Sequence, residues 1–329
     1  MTTKKIPQLL DHLINAIQSC GWQPFILKNR NPYLIQADDG AGNSIAMRIY
    51  IWNCTHGGKG RADDEYRVQL VQIPPAPVGN EHLIVLGWHD GYNVFVAFDP
   101  EKHIAQAGDS PSAQIKKNVL ETANRNMFAA HVNAKSETII AMRPEFFMTY
   151  VTNSMQLHKF GTSAELNSLN TIAETRGETD TDQSPEITGK KRKEVLLIIK
   201  KKVRDADFRN RIMTAYKSTC AMCGLQLKLI DAAHIVPVDS PKSTDETNNG
   251  IALCALHHRA FDNGLVSFDK NYRIEIHQEK NKNLTKIGLD AGIMMFKKNL
   301  NSVIYLPADR RDHPHQSHIK QGRLLRGWI

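Results

Sequence analysis

An α+β protein of two domains is what this sequence predicts, and three observations carry the prediction. The chain has 329 residues, 41% hydrophobic and 23% charged, which favours two modest cores over one. Its first half is a succession of short β-branched and aromatic runs separated by Gly, Pro, Asn and Asp, flanked by segments with helical apolar spacing. Its second half sets two metal-ligand pairs around a strand–turn–strand–helix pattern between Cys220 and Asp262. The expected layout is a β-rich domain with flanking helices over 1–160, a flexible polar linker over 161–192, and a smaller domain with a carboxy-terminal tail over 193–329.

Composition narrows the class. No apolar run reaches the roughly 20 residues of a membrane helix, and Met1-Thr-Thr-Lys-Lys5-Ile leads into a mixed polar segment rather than a signal peptide. A cytoplasmic protein is expected. Five cysteines is an odd number and three of them stand at metal spacing, so a disulfide framework is not expected; Cys20 and Cys54 read as ordinary buried thiols. The net charge of +8 is unevenly placed: residues 190–329 carry 26 Lys and Arg against 14 Asp and Glu, while 1–189 carry 16 against 20. A basic surface on the second half suits a phosphate backbone.

Taken in order, Leu9, Leu10, Leu13, Ile14 and Ile17 share one face of a helix. Runs at Tyr33–Gln36, Ser44–Trp52, Tyr66–Ile73, His82–Leu86 and Tyr92–Phe98 then predict an antiparallel sheet of about five strands, with turns at Asp38-Asp-Gly40 and Asp90-Gly91. Residues 112–123 read as a helix, and an apolar segment from Thr138 to Val151 closes the domain. Two features are candidate DNA contacts. The loop Asn53-Cys-Thr-His-Gly-Gly-Lys59-Gly-Arg61 is basic and donor-rich, and Trp52 and Trp88 belong to an aromatic group suited either to packing the sheet or to stacking on a base. Asp63, Asp64 and Glu65 lack the acidic-x-Lys partner that a second nuclease centre would need.

The stretch 161–189 holds six acidic residues and one basic residue with little apolar periodicity, and reads as a tether. After it, Lys190 to Arg204 alternates basic blocks with apolar residues, offering Lys200, Lys201 and Lys202 as phosphate contacts, and Asp207 to Tyr216 continues as a helix.

Cys220-Ala-Met-Cys223 and Cys254-Ala-Leu-His257 repeat one spacing, and three thiolates with one imidazole complete a closed tetrahedral zinc site, structural rather than catalytic. His234, Asn249, His258 and Asp262 are then left over. Asp231 to Val238 reads as a strand, Asn249-Gly250 as a turn and Ile251 to Cys254 as the return strand, so that His234 and Asn249 can face each other. Four residues is about one helical turn, so His258 and Asp262 project from one face of a helix over 255–262 and can share one divalent ion. A hairpin across Asp269-Lys-Asn271 follows, and then a tail whose His313, His315 and His318 read as a surface turn.

Ala-Ala-His234-Ile-Val-Pro237, Asn249-Gly-Ile-Ala-Leu-Cys254 and His257-His258-Arg-Ala-Phe-Asp262 resemble, in order and spacing, the HNH or ββα-metal endonuclease family. The nearest resemblance is to the zinc-stapled HNH branch of restriction endonucleases, of the modified-cytosine type. It covers roughly 205–277, and Tyr305-Leu-Pro307 and Arg323-Leu-Leu-Arg-Gly327 look like that branch too. The resemblance implies that His234 is the general base, that Asn249 orients it or supports the metal site, and that His258 and Asp262 hold Mg²⁺ or another divalent cation such as Mn²⁺ or Ni²⁺. It also implies 5′-phosphate and 3′-hydroxyl products. Many relatives place Asp or His just before the base histidine as a further ligand; here that position is Ala233, with Asp231 two residues back as a helper.

The function expected is a restriction-type endonuclease acting on double-stranded DNA, with the amino-terminal domain selecting modified or unmodified sites. One such centre cuts one strand, which suggests a homodimer. The alternatives are a nonspecific defence nuclease unleashed by a nucleotide signal and a non-catalytic zinc DNA-binding protein.

Overall fold

The computed structural model describes residues 6–56, 58, 60, 62–70, 81–103, 112–176, 190–227 and 229–328. Two compact units divide it, Met1–Val203 and Arg204–Ile329.

The first unit opens with α1 (Ile6–Ser19), the predicted amphipathic helix, which buries Leu9, Leu13 and Ile17. The strands β1 (Gln23–Lys28), β2 (Tyr33–Asp38), β3 (Ser44–His56), β4 (Glu65–Gln69), β5 (His82–His89) and β6 (Val94–Phe98) follow. Next come a short α2 (Pro100–His103), β7 (Ser112–Lys116), α3 (Lys117–Asn126), β8 (Phe128–Val132), β9 (Thr138–Met142), α4 (Phe147–Leu157) and α5 (Ser163–Glu174). Nine strands form one sheet in the order β1-β2-β3-β5-β6-β9-β8, with β4 pairing β3 and β7 at the side. Turns at Asp38-Asp-Gly40 and Asp90-Gly91 join β2 to β3 and β5 to β6, as expected.

Four expectations are corrected here. The sheet is mixed and larger than the five antiparallel strands expected: β3 and β5 run parallel, with Met47 opposite His82 and Asn53 opposite Trp88. Residues 112–116 are a strand, not the first turn of a helix, because Ala113 and Ile115 alternate inward. Asn53 to His56 belong to β3, and Cys54 to His56 pair with β4, so the expected loop is shorter, and Lys59 and Arg61 lie outside the described residues. The expected tether holds an ordered helix, α5. Thr162 and Glu165 form a reciprocal cap at its start, and Leu169, Ile172 and Ala173 are buried. Residues 177–189 of that stretch lie outside the described residues.

The helix α6 (Lys190–Ala215) is one 26-residue element. Its opening turns belong to the first unit, where Arg192 ion-pairs with Glu165, so the boundary falls after Val203 rather than near 192. Lys201 is exposed, and Lys200 and Lys202 are half-buried.

The second unit takes the rest of α6, then β10 (Ile230–His234), β11 (Gly250–Cys254) and α7 (Ala255–Asp262). The strands β12 (Val266–Phe268) and β13 (Ile274–Ile276) form the expected hairpin. The tail adds α8 (Gln278–Lys286), α9 (Ile293–Lys298) and α10 (Gln316–Leu325). The core joins Phe208, Ile212 and Tyr216 of α6 to Ile251 and Leu253 of β11, Phe261 of α7 and Ile319 of α10. This is the strand–strand–helix module that the second half predicts, with the tail helices completing its core. Among the described residues no helix is long and apolar enough to cross a membrane.

Candidate functional site

The knuckle between α6 and β10 is stitched down by backbone bonds. Ala221 N–H donates to Ala252 O at 2.8 Å, and Tyr305 N–H to Ala221 O at 2.8 Å. Cys220 and Cys223 thereby meet Cys254, the last residue of β11, and His257, in the first turn of α7. One donor atom from each lies within 4.8 Å of all the others. Cys223 and Cys254 Sγ are 4.0 Å apart, and His257 Nδ1 is 3.2 Å from Cys254 Sγ and 3.5 Å from Cys220 Sγ. Zinc–ligand bonds of ~2.3 Å to sulfur and ~2.0 Å to nitrogen give tetrahedral edges of roughly 3.8 Å and 3.5 Å, so the donor set fits that ion. Burial pushes the Cys223 thiol up to about 12 and raises Cys254 as well. Burial also penalises ionised Cys220, yet its thiol goes down to about 6 because His257 and backbone N–H groups outweigh the penalty. Three crowded sulfurs ionise together only around a cation, and the fourth donor is the buried His257.

Consecutive helical residues point about 100° apart, so His258 leaves the zinc cluster and faces outward with Asp262 one turn on. His258 Nε2 and Asp262 Oδ2 are 3.3 Å apart, at side-chain exposures of 28% and 53%. Two ligands at right angles on a cation with ~2.1 Å bonds stand about 3.0 Å apart, so this pair too fits a divalent ion. Among the described residues no third His, Cys, Asp or Glu joins them as a ligand group. Ala233 is 1% exposed and opposite Ile251, in the core. The expected helper Asp231 stands opposite Leu253, far along the strand from His234, and turns to Arg209 at 3.6 Å; that expectation is corrected.

His234 ends β10 opposite Gly250. Phe208 stacks on its ring at 3.8 Å and 7°, and Asp245 Oδ1 lies 2.9 Å from its Nε2. Asp245 is the residue that sequence reasoning missed. Two arginines of α6 hold it. Arg204 Nε is 2.8 Å from its Oδ2, a charge contact rather than an aligned hydrogen bond, since that N–H finds no acceptor in line. Arg211 donates to the Asp245 backbone carbonyl at 2.6 Å. Arg204, Phe208 and Arg211 are four and three residues apart, so one face of α6 holds both His234 and Asp245.

The Asn249 side chain bonds the loop after β10 rather than the His234 ring. Fully buried, it accepts from Val236 N–H at 2.9 Å and donates to Thr244 O at 2.7 Å. It braces the loop that carries Asp245 and so acts on His234 at one remove.

The second missed residue is Arg326, just past α10. Its side chain is 5% exposed and stacks over Phe261 at 4.2 Å. It donates to the carbonyls of His234 at 3.1 Å and Ile235 at 2.5 Å, and to Asp262 Oδ1 at 3.2 Å. The helix comes this close because residue 322 is glycine: a Cβ there would lie 2.2 Å from Ile235 O. Burial lowers the Arg326 pKa, and Asp262 acts against that shift.

Of the other candidates, Trp88 is corrected to a core residue. It is 1% exposed, stacked on His12 at 4.1 Å and packed on Phe95, with no face for a base. Trp52 is half-buried beside Tyr50. His313 and His318 bond backbone carbonyls and His315 caps α10, consistent with a surface turn.

Comparison with known proteins adds two domains. The HNH endonuclease family matches residues 220–269, and a family described as methylase-associated X1 matches residues 45–151. No curated protein matches the chain. A solved structure described as the modification-dependent TagI restriction endonuclease is similar at 12% identity and a TM-score of 0.31, over 87% of this chain and 83% of that one. The HNH match takes in the Cys220–His257 cluster together with His234, His258 and Asp262, so this part of the carboxy-terminal unit is similar to an HNH endonuclease domain, and DNA endonuclease is the activity that the match supports.

Proposed function

We propose that the chain is a restriction-type endonuclease that hydrolyses double-stranded DNA with His234 as general base. The observation that carries this reading is the Arg326 network, which ties the His234 strand end to Asp262 and its partner His258.

A carboxylate only accepts hydrogen bonds, so Asp245 selects the neutral tautomer of His234 with the proton on Nε2. The lone pair is then on Nδ1, which has no hydrogen-bond partner among the described residues. Nδ1 takes the proton of a water molecule as the water oxygen attacks phosphorus; the bond to the 3′ oxygen breaks and that oxygen takes a proton from solvent water, leaving a 5′-phosphate and a 3′-hydroxyl. Phe208 keeps the ring from turning, and Asn249 keeps the Asp245 loop in place. His258 and Asp262 would hold a divalent cation such as Mg²⁺, Mn²⁺ or Ni²⁺, which when bound would supply Lewis-acid stabilisation of the charge that builds on the phosphoryl and leaving oxygens. The zinc cluster is structural.

The amino-terminal unit selects the DNA. Its match to a family described as methylase-associated supports selection by base modification. Each domain has one such centre, so a homodimer makes the double-strand cut.

The test is His234→Ala in the full chain. Metal-dependent cleavage should vanish while zinc content and the folded spectrum persist; full activity would refute the assignment. Wild-type protein on one fragment carrying cytosine, 5-methylcytosine or 5-hydroxymethylcytosine reports the selection. DNA bound but never cut in Mg²⁺, Mn²⁺ or Ni²⁺ would favour a binding protein, and nicks alone would count against the dimer.

A further inference from the structure

Beside the reactive centre, and outside it, lies a groove of about 640 Å³ between the β10–β11 connection and α10. One wall is Val236 and Lys242. The other is α10, where Ser317, Lys320, Gln321 and Leu324 fall at helical spacing on one face. Every ionisable side chain lining it is a base: Lys242, His318, Lys320 and Arg323. Two of these are committed elsewhere. Arg323 donates to Glu275 at 2.7 Å and stacks on Trp328 at 4.6 Å, and His318 Nδ1 lies 3.3 Å from Asn248 O. Lys242 and Lys320 are exposed, and neither has an acidic partner among the described residues. The groove thus pairs two unneutralised ammonium groups, one from each wall, with an apolar surface of Val236 and Leu324. No carboxylate lines it to repel an anion.

Its position relative to the chemistry is fixed by the backbone. Val236 is two residues past His234, Gly322 of α10 packs against the carbonyl of Ile235, and Arg326, six residues after Lys320, bonds the His234 carbonyl and Asp262. The groove and the centre share these elements, so a strand with its scissile phosphate at His258 and Asp262 would run on into the groove.

We propose that this groove seats the sugar–phosphate backbone of the strand being cut, with Lys242 and Lys320 each engaging one phosphate that flanks the scissile one and the deoxyribose faces resting on Val236 and Leu324. The proposal rests on the nuclease reading for the direction of the strand, but its test needs no cleavage. In full-length protein carrying His234→Ala, duplex affinity is measured by fluorescence anisotropy from 50 to 200 mM salt. Each lost phosphate contact lowers the magnitude of the slope of log K against log salt by ~0.9. Lys242→Ala with Lys320→Ala should therefore lower it by about 1.8 relative to the parent, and the paired Lys→Arg changes should restore it. Lys286→Ala, an exposed lysine on α8, is the control and should leave the slope of the parent unchanged. With His234 intact, the double variant should raise KM and leave saturating kcat in place. An unchanged slope in the double variant, or an equal loss in the Lys286 control, overturns the proposal. A protein that shows the slope change yet never cuts DNA refutes the nuclease reading and leaves the groove assignment standing.

Discussion

Asp245→Asn is the substitution that separates an oriented base from a histidine merely present in the site. Asp245 stands between the Nε2 of His234, to which its carboxylate assigns the proton, at 2.9 Å and the guanidinium charge of Arg204 at 2.8 Å. Both of its oxygens face positive or proton-bearing groups, an arrangement that asparagine cannot reproduce. If the amide oxygen faces His234, its NH₂ group lies against the Arg204 cation. If it faces Arg204, the NH₂ group lies against Nε2, which must become the acceptor, and the ring proton moves to Nδ1. The first orientation loses the attraction to Arg204, and the second blocks the base.

The size of the effect follows from what is lost. A hydrogen bond to a charged group is worth about 1.5–3 kcal/mol, and the partial exposure of both side chains, 17% and 24%, argues for the lower end. At ~1.4 kcal/mol per factor of ten, orientation alone accounts for roughly tenfold in kcat. Placing the proton on the wrong nitrogen removes general-base catalysis itself, worth about 10²–10⁴-fold. A loss of about 10²-fold or more in kcat, with KM little changed, is expected. Single-turnover cleavage of a labelled duplex at saturating protein measures it, and ¹⁵N shifts of the His234 ring report the tautomer. Wild-type protein should show the Nε2–H form, and Asp245→Asn should show that form depleted. A variant that cuts at the wild-type rate, or a wild-type ring protonated on Nδ1, would refute the reasoning, since neither is compatible with Asp245 setting the tautomer.

Metal removal and acid give two further outcomes. Zinc binding to a Cys/His set of this kind is worth ~10–16 kcal/mol, as much as the whole stability of a typical domain, so Cys223→Ser or a strong chelator should unfold the second unit rather than soften it. Zinc content and the thermal transition measure this; a chelated unit with an unchanged Tm would show that the cluster is not a metal site, and Cys20→Ser serves as control. In the first unit, burial raises the carboxyl of Glu137, but hydrogen bonds from His103 at 2.7 Å, Asn133 and the Asp99 amide prevail and hold it below the usual carboxylate range. A depressed carboxyl contributes stability that is present above its unfolded pKa and lost as pH falls through its folded one. Glu137→Gln should cost about 1–3 kcal/mol at pH 7, and the gap to wild type should shrink below about pH 4.5 in urea titrations; a gap that widens on acidification would contradict this.

The parts of this molecule that the sequence foretells are those with local signals. The zinc donors repeat a two-residue gap, α7 sets His258 and Asp262 one turn apart, and the hairpin from Val266 to Ile276 turns at Asp269. The mixed sheet leaves no such mark. All of β6 and nearly all of β5 are buried, so their side chains carry none of the polar alternation that tells an antiparallel surface strand from a parallel central one. At 112–116 the alternation of Ala113 and Ile115 is present, but the helical spacing of Val119, Leu120 and Ala123 beside it reads equally well backwards into the strand. Trp88 looks like a base-stacking residue by type and proves to be core by position, which residue type alone does not decide. Asp245 and Arg326 were invisible for another reason. Their partners are 11 and up to 92 residues away, and nothing in the spacing separates Asp245 from Asp239 or Glu246 in the same loop.

Arg326 also accounts for the weakest point of the family likeness. Where many HNH relatives carry a ligand before the base histidine, Ala233 faces the core opposite Ile251, and an ionised carboxylate there would be buried without a partner. A metal site at His258 and Asp262 would therefore have a single carboxylate, and one of its oxygens is already engaged by a buried guanidinium. The tether that a shared metal ligand would give between strand and helix is supplied instead by that guanidinium, which bonds both the His234 carbonyl and Asp262. The cost is charge: fewer anionic donors and an adjacent cation both weaken a divalent site. Cation affinity in the absence of DNA should accordingly be low, and should rise when a DNA phosphate completes the coordination. Linkage makes the effect reciprocal, so Mg²⁺ should tighten DNA binding by the factor by which DNA tightens Mg²⁺. Calorimetric titration of Mg²⁺ into the protein with and without duplex measures both sides, and equal affinities in the two titrations would show that protein side chains alone set the metal site.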